Sequence, residues 1–190
     1  CAMSDSWREA INFLKSADQE KVNDETYKII CTRLGSDGHS KEGLEVIESM
    51  QKIGRCEKAT KACYVALIDE ATNSKKHQVS LEILQAMKDA GHSVEASVYN
   101  PIIGACNSSR EGATSLKLIE DMARENVIPS LVSVNTTICA LGRSGQWEDS
   151  VRLLQRVEKQ FGLKPDIVSY NTAIAGCVPS RQWSLALELI

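Results

Sequence analysis

A five-residue pattern of apolar positions recurs along the chain. Each copy holds a small residue, an aliphatic residue, any residue and two more apolar residues, and successive copies end 33, 37, 35, 35 and 36 positions apart. Where a further apolar residue follows three positions later, the apolar positions fall on one face of an amphipathic helix. The copies are A-I-N-F-L at 10–14, G-L-E-V-I at 43–47, S-L-E-I-L at 80–84, S-L-K-L-I at 115–119, S-V-R-L-L at 150–154 and A-L-E-L-I at 186–190.

The small residue that opens each copy is expected to let neighbouring helices approach closely. A tryptophan lies three positions before it in three copies, and packing at the start of the helix is favoured for these rings over base stacking. The small residues are Ala10, Gly43, Ser80, Ser115, Ser150 and Ala186, and the tryptophans are Trp7, Trp147 and Trp183.

A second helical run precedes most copies, with glycine or Asn-Ser turn residues between the two. The pattern predicts that these first helices begin just after Thr26, Cys63, Val98, Ser133 and Ser169, with the two serines as N-caps and Pro101 close to a helix start. Each repeat is therefore a helical hairpin of about 35 residues. Because neither helix can bury its apolar stripe alone, the repeats must stack, which predicts an all-α fold, an α-solenoid.

Composition limits the classes of function that the chain could have. The chain has 190 residues and a net charge of −3, so affinity for nucleic acid would have to come from local patches. No apolar run reaches the roughly 20 residues of a membrane helix. The seven cysteines have no C-x-x-C spacing, and four of them are predicted to be buried thiols within helices (Cys31, Cys106, Cys139 and Cys177). The histidines His39, His77 and His92 are isolated and expected at the surface or in turns, so the sequence predicts no enzyme, metal site or cofactor.

The repeat resembles the pentatricopeptide repeat family. Its strongest matches are P-S-L-V-S-V-N-T-T-I at 129–138 and G-L-K-P-D-I-V-S-Y-N-T-A-I at 162–174. The tetratricopeptide repeat has a similar period, but its tryptophan, Leu-Gly and tyrosine signature is absent. The resemblance implies one right-handed solenoid with a partial repeat at 1–23, repeats at 24–60, 61–95, 96–130 and 131–166, and a partial repeat at 167–190.

The resemblance also implies binding of single-stranded RNA, with one base read by each repeat. The fifth and last residues of a repeat would read the base, while the second residue packs against it. The implied recognition residues are Asn100 with Ser130, Asn135 with Asp166, and Asn171, and the implied packing residues are Ser97, Val132 and Val168. By family analogy, the target is pyrimidine-rich: Asn135 with Asp166 favours uracil, and Asn100 with Ser130 favours a pyrimidine such as cytosine.

The N-terminal repeats depart from this pattern. The corresponding positions hold Lys28 with Lys58 and Val65 with Glu95, neither of which is a recognised pair. Arg143 and Lys28 are candidate phosphate contacts. Residues 1–95 carry 13 basic against 16 acidic side chains, whereas residues 96–190 carry 9 of each. The C-terminal half is thus the less repulsive half for RNA.

A protein-binding scaffold inside a large ribonucleoprotein assembly, such as an organellar ribosome, is the alternative function. The chain opens and closes within repeats, so a slice of a longer array is expected. The family resemblance implies a mitochondrial or chloroplast location and a role in RNA processing, stabilisation or translation. No targeting peptide is visible.

Overall fold

A computed structural model describes residues 12, 23–54 and 56–189, and the chain divides into two compact units, residues 1–94 and 95–190. Within the described part of the first unit lie four helices: α1 (Asp24–Ser36), α2 (Ser40–Lys52), α3 (Glu57–Asn73) and α4 (His77–Asp89). The described part of the second unit holds α5 (Ala96–Ser108), α6 (Gly112–Arg124), α7 (Leu131–Arg143), α8 (Trp147–Phe161), α9 (Ile167–Cys177) and α10 (Trp183–Glu188).

Within each unit, the odd-numbered helices pack side by side and the even-numbered helices pack against them. In the first unit α1 packs against α3, and α2 packs against both. In the second unit α7 lies between α5 and α9, while α6 and α8 cover the other side of α7. Residues 23–54 and 56–189 contain no β-strand. The prediction of an all-α, helical-repeat fold is confirmed; the repeat boundaries remain a prediction from the sequence.

The turns that lead into the even-numbered helices share one backbone conformation. Two residues before each of these helices, the backbone is left-handed, with φ between 55° and 86°. The following amide donates to a carbonyl five residues back, as from Gln146 to Leu141 at 2.9 Å. This is the bond of a Schellman C-cap, which ends one helix and turns the chain into the next. The left-handed residues are Gly38, Lys75, Arg110, Gly145 and Arg181.

The small residues of the pattern lie in the core, as predicted. A Cβ atom on Gly43 would come within 2.7 Å of Leu67 Cδ2, so a larger residue there would force the end of the Leu67 side chain to move. Ser115 Oγ lies 2.8 Å from Thr137 Oγ1, and Ser150 Oγ donates to the Ile138 carbonyl at 3.4 Å. Ser80 and Ala186 are also buried. Ala10 lies outside the described residues.

Trp147 packs against the small cluster of Val151, Cys177 and Ala186, which supports the packing role for this ring. Trp7 and the Trp183 side chain lie outside the described residues. Three of the four cysteines predicted to be buried are buried, whereas Cys139 is only half-buried. Burial raises the pKa of the Cys106 thiol to about 11, so this group stays protonated at neutral pH.

The predicted starts of the first helices are wrong by about one turn. Ser133 and Ser169 are not N-caps; they occupy the third positions of α7 and α9, and the caps are Ser130 and Asp166. Pro101 is the sixth residue of α5, inside the helix rather than at its start. Because proline lacks an N–H, the Ser97 carbonyl receives no i to i−4 bond there.

Helix α3 departs most from the prediction, because it begins at Glu57, seven residues before Tyr64. Glu57 to Thr60 contain no proline or glycine that would stop the helix, and Thr60 Oγ1 donates to the Cys56 carbonyl at 3.2 Å. Lys58, which the sequence prediction pairs with Lys28, therefore lies in the first turn of α3.

Candidate nucleic-acid interface

The Tyr-Asn pairs are Tyr99-Asn100 and Tyr170-Asn171, and in the first pair the two neighbours face opposite environments, whereas both residues of the second pair are exposed. Successive helical residues differ by about 100° around the axis, so one side chain can enter the core while the next remains outside. Tyr99 is fully buried, and its hydroxyl donates to Glu125 Oε2 at 2.7 Å. Asn100 is exposed. The tyrosine therefore belongs to the hairpin core, and the asparagine belongs to the surface of α5.

Three asparagines form a row across the second unit. Asn100, Asn135 and Asn171 are each the fifth residue of their helix, in α5, α7 and α9. These three helices pack side by side, so their equivalent positions are adjacent. Asn100 and Asn171 are exposed, and Asn135 is half-buried. An amide side chain offers both a donor and an acceptor, which is the capacity needed to read the edge of an unpaired base.

Asn100 and Ser130, predicted to act together, are linked through a third residue. Ser133 Oγ donates to Asn100 Oδ1 at 2.7 Å and lies 2.7 Å from Ser130 Oγ. Ser130 Oγ also accepts the Ser133 backbone N–H at 3.1 Å, which makes it the N-cap of α7. Sequence reasoning missed the contribution of Ser133. A serine also stands two residues before Asn171, but this recurrence does not predict the bond, because Ser169 donates its hydroxyl proton to Asp166 instead.

Asn135 and Asp166 face each other directly, with Asn135 Nδ2 3.5 Å from Asp166 Oδ1. Asp166 is the N-cap of α9: its Oδ1 accepts the Ser169 N–H at 2.8 Å and the Ser169 hydroxyl at 2.9 Å. The Asp166 N–H donates back to Ser169 Oγ at 3.1 Å, completing a capping box. The bonds from Ser169 favour the carboxylate and hold the pKa of Asp166 below its usual value.

The two predicted valine contacts are large apolar side chains left in solvent. Val132 is 74% exposed and Val168 is 57% exposed, and both are second residues of their helices. Ser97 is the exposed second residue of α5. Apolar side chains at this position can cover the face of a planar base.

A groove of about 400 Å³ lies between α7 and α9, beside Asn171 and Val168. Two glycines, Gly142 and Gly176, contact each other at the bottom of the groove. A Cβ on Gly142 would lie 2.6 Å from the Gly176 Cα. Arg143, the candidate phosphate contact, is exposed at its rim.

The first unit has no such row in its described part. Lys28 is the exposed fifth residue of α1, and Val65 is the half-buried ninth residue of α3. Glu95, predicted as the partner of Val65, precedes α5 and makes no side-chain cap bond. The amide side chains predicted to read bases therefore lie on α5, α7 and α9.

His92 follows a turn, as predicted, but its side chain is buried rather than at the surface. It lies in the loop after α4, with its ring edge-on to Tyr64 at 5.6 Å and its Nδ1 3.7 Å from Glu57 Oε1. Across residues 23–54 and 56–189, no cluster of three or more His, Cys, Asp or Glu residues could hold a metal ion. None of the helices described is long and apolar enough to cross a membrane.

Comparison with known proteins identifies the class. A family model described as pentatricopeptide repeat-containing protein matches residues 35–157, and a model of the PPR repeat matches residues 168–190. The chain belongs to the pentatricopeptide repeat family, as the resemblance implied.

Individual relatives are more distant. The chain is 29% identical over 110 residues to the pentatricopeptide repeat-containing protein At3g29290 of Arabidopsis thaliana, covering 58% of this chain and 19% of that protein. It is 28% identical over 88 residues to the chloroplastic pentatricopeptide repeat-containing protein 10 of Zea mays, covering 46% of this chain and 11% of the relative.

The crystal structure of PPR10 from maize matches with a TM-score of 0.66 at 18% identity, over 96% of this chain and 26% of that one. The structure of PPR10 in complex with an 18-nt psaJ RNA element matches with a TM-score of 0.56 at 19% identity, over 94% of this chain and 26% of that one. The first two curated relatives are matched over 19% and 58% of their lengths.

Proposed function

We propose that this chain binds single-stranded RNA by modular recognition, in which each of the repeats beginning at residues 96, 131 and 167 reads one base. The observation that carries the proposal is the row of Asn100, Asn135 and Asn171 on three adjacent helices. Two of these asparagines are joined by hydrogen bonds to the side chains predicted as their partners or to a serine between them.

The geometry suits pyrimidines. At the second site, Asn135 Nδ2 lies beside the Asp166 carboxylate, so a donor and an acceptor stand together. Uracil offers the complement, a carbonyl oxygen next to an N–H. At the first site Ser130 replaces the carboxylate, and cytosine is the expected pyrimidine. The exposed Val132 and Val168 would pack against the base faces.

The relatives support the same function and suggest its setting. A PPR10 structure contains an 18-nt RNA element, and several relatives are named as chloroplastic. We infer a mitochondrial or chloroplast protein acting in RNA processing, stabilisation or translation.

A binding assay with matched variants tests the proposal. Fluorescence anisotropy would compare pyrimidine-rich with purine-rich single-stranded RNAs of equal length, at low and moderate salt. Asn135→Ala should weaken binding to a uridine-containing target about tenfold, because one base-reading contact contributes about 1–3 kcal/mol. Asn73→Ala, at the exposed end of α3, removes the same side chain outside the row and should change nothing.

Two results would contradict the proposal. The first is equal affinity for pyrimidine-rich and purine-rich RNA. The second is a larger loss from Lys28→Ala than from Asn135→Ala, which would show that charge rather than base reading carries the binding.

A further inference from the structure

Two equivalent serines, each two residues before an asparagine of the row, use their hydroxyl groups differently. Ser133 and Ser169 are the third residues of α7 and α9, and each follows an N-cap residue by three positions. Ser133 donates its hydroxyl proton to Asn100 of the preceding repeat, at 2.7 Å. Ser169 donates its proton to its own cap, Asp166, at 2.9 Å.

The hydrogen atoms near Asn100 can be counted. A hydroxyl carries one proton. If Ser133 gives its proton to Asn100 Oδ1, its 2.7 Å contact with Ser130 must use the Ser130 proton. Ser130 Oγ in turn accepts the Ser133 backbone N–H at 3.1 Å. The three groups therefore form one directed chain that ends on the Asn100 carbonyl oxygen and turns Nδ2 away from Ser133.

The same count gives another outcome at Asn135. An ionised carboxylate has no proton to give, so Asp166 only accepts. It takes both the N–H and the hydroxyl proton of Ser169, and Asn135 Nδ2 turns toward it at 3.5 Å. Asn135 Oδ1 is buried and has no hydrogen-bond partner among the described residues. Here the cap, rather than the serine, orients the amide.

The bonds that lower the pKa of Asp166 keep this carboxylate ionised at neutral pH, which agrees with the hydrogen count. The identity of the cap therefore determines the use of the serine hydroxyl. A serine cap supplies a proton and releases Ser133 to bond across the repeat boundary, whereas an aspartate cap retains Ser169.

We propose that Ser133 is a positioning residue for base recognition: its hydroxyl holds the Asn100 amide with Nδ2 toward the RNA, so that the repeat at 96–130 presents a hydrogen-bond donor without an adjacent carboxylate. This inference rests on the proposed function. Ser133 belongs to the repeat at 131–166 but acts in the repeat at 96–130. The two asparagines are then oriented by different groups: Asn100 by a serine hydroxyl, and Asn135 by the Asp166 carboxylate.

The first test needs no RNA. In the free protein, the side-chain NH₂ resonances of Asn100 are followed by ¹⁵N–¹H NMR in Ser133→Ala and Ser133→Thr. The alanine variant should shift these resonances toward those of a solvent-exposed asparagine, and the threonine variant, which keeps the hydroxyl, should leave them near their wild-type positions. Unmoved Asn100 resonances in the alanine variant would overturn the proposal.

The second test measures selectivity. RNAs differing only at the base facing the repeat at 96–130 are compared for wild type, Ser133→Ala and Ser169→Ala. Ser133→Ala should reduce discrimination at that base about three- to tenfold, the effect of one hydrogen bond. Ser169→Ala should leave it unchanged. Thermal unfolding of Ser133→Ala distinguishes a loss of selectivity from a folding defect. No large loss of stability is expected, because Ser130 Oγ can still cap α7.

The two proposals fail in different ways. A wild-type chain that binds RNA with Asn100-dependent selectivity, unaltered in Ser133→Ala, overturns the positioning role alone. A wild-type chain with no base preference overturns the proposed function, and the Asn100 resonances then decide whether Ser133 orients the amide.

Discussion

Two of the predicted base-reading residues are also structural residues of the helices. Ser130 and Asp166 were predicted only as base-reading groups, yet each caps the helix that follows it. A substitution at either position therefore changes both helix stability and the groups offered to a base. Effects on RNA affinity at these two positions must be compared with effects on folding before a recognition role is assigned.

The stability of the first turn of α9 should depend on pH, because Asp166 caps this helix. Because its folded pKa is depressed, its contribution to stability is present above the unfolded value of about 3.9 and is lost as pH falls through the lower folded pKa. Acidification below about pH 4 should thus weaken the bonds from Ser169. The protection factor of the Ser169 amide, which is its hydrogen-exchange rate corrected for the intrinsic dependence on pH, would detect the change.

Asp166→Asn provides the control for this titration. Asparagine also caps helices well but does not ionise in this range, so the protection factor of the Ser169 amide should become independent of pH between about 2 and 5. An unchanged pH profile in this variant would assign the effect to another group.

At the residue level, the repeat register alone located the asparagines. Aligning the 35-residue repeats placed Asn100, Asn135 and Asn171 at one position, and the structure places them on adjacent helices. The bond from Ser133 to Asn100 could not be predicted in the same way, because it joins different repeats and depends on which cap holds the serine proton.

At the level of helices, periodicity predicted that they exist but not where they begin. The first turns of α7 and α9 carry exposed apolar residues, Val132 and Ile167 among them, which no amphipathic pattern marks as helical. The N-cap was therefore assigned to the serine nearest the buried run. Helix α3 shows the same limit, since its extra turn depends on the lack of a stop signal before Thr60.

The left-handed turn residues give a prediction for stability. Arg110 and Gly145 hold equivalent places, with φ of 60° and 81°, before α6 and α8. A side chain in this conformation costs about 1 kcal/mol relative to glycine. Arg110→Gly should therefore stabilise the protein by up to about 1 kcal/mol, and Gly145→Ala should destabilise it by a similar amount.

Chemical denaturation would measure both variants. No atom lies within 4 Å of a Cβ added to Gly145, so any loss there reports backbone conformation rather than a clash. A stabilising Gly145→Ala variant would show that this turn does not keep its left-handed conformation in solution.

At the scale of the whole molecule, the two units differ in what they present. The second unit carries the asparagine row, whereas the described part of the first unit presents Lys28 and Val65 at the positions compared. The net charge of −3 gives no general attraction for RNA. Affinity must then depend on local contacts, and single cations near the row should matter more than the total charge.

Salt dependence tests this directly. The logarithm of the binding constant falls linearly with the logarithm of the salt concentration. For a single strand, each phosphate that the protein neutralises contributes about 0.7 to the magnitude of this slope. Arg143, at the rim of the groove beside Asn171, is the cation placed to neutralise a phosphate there. Arg143→Gln should therefore reduce the slope by about 0.7 and weaken all sequences alike.

Lys117→Gln is the matched control, because it removes the same charge from an exposed position on α6, an even-numbered helix. Lys117 does not line the groove between α7 and α9, so this variant should keep the wild-type slope. Equal slopes for the two variants would mean that net charge governs binding, and a contact between Arg143 and RNA phosphate would be excluded. A change confined to Arg143→Gln would instead place the RNA backbone along the groove between α7 and α9.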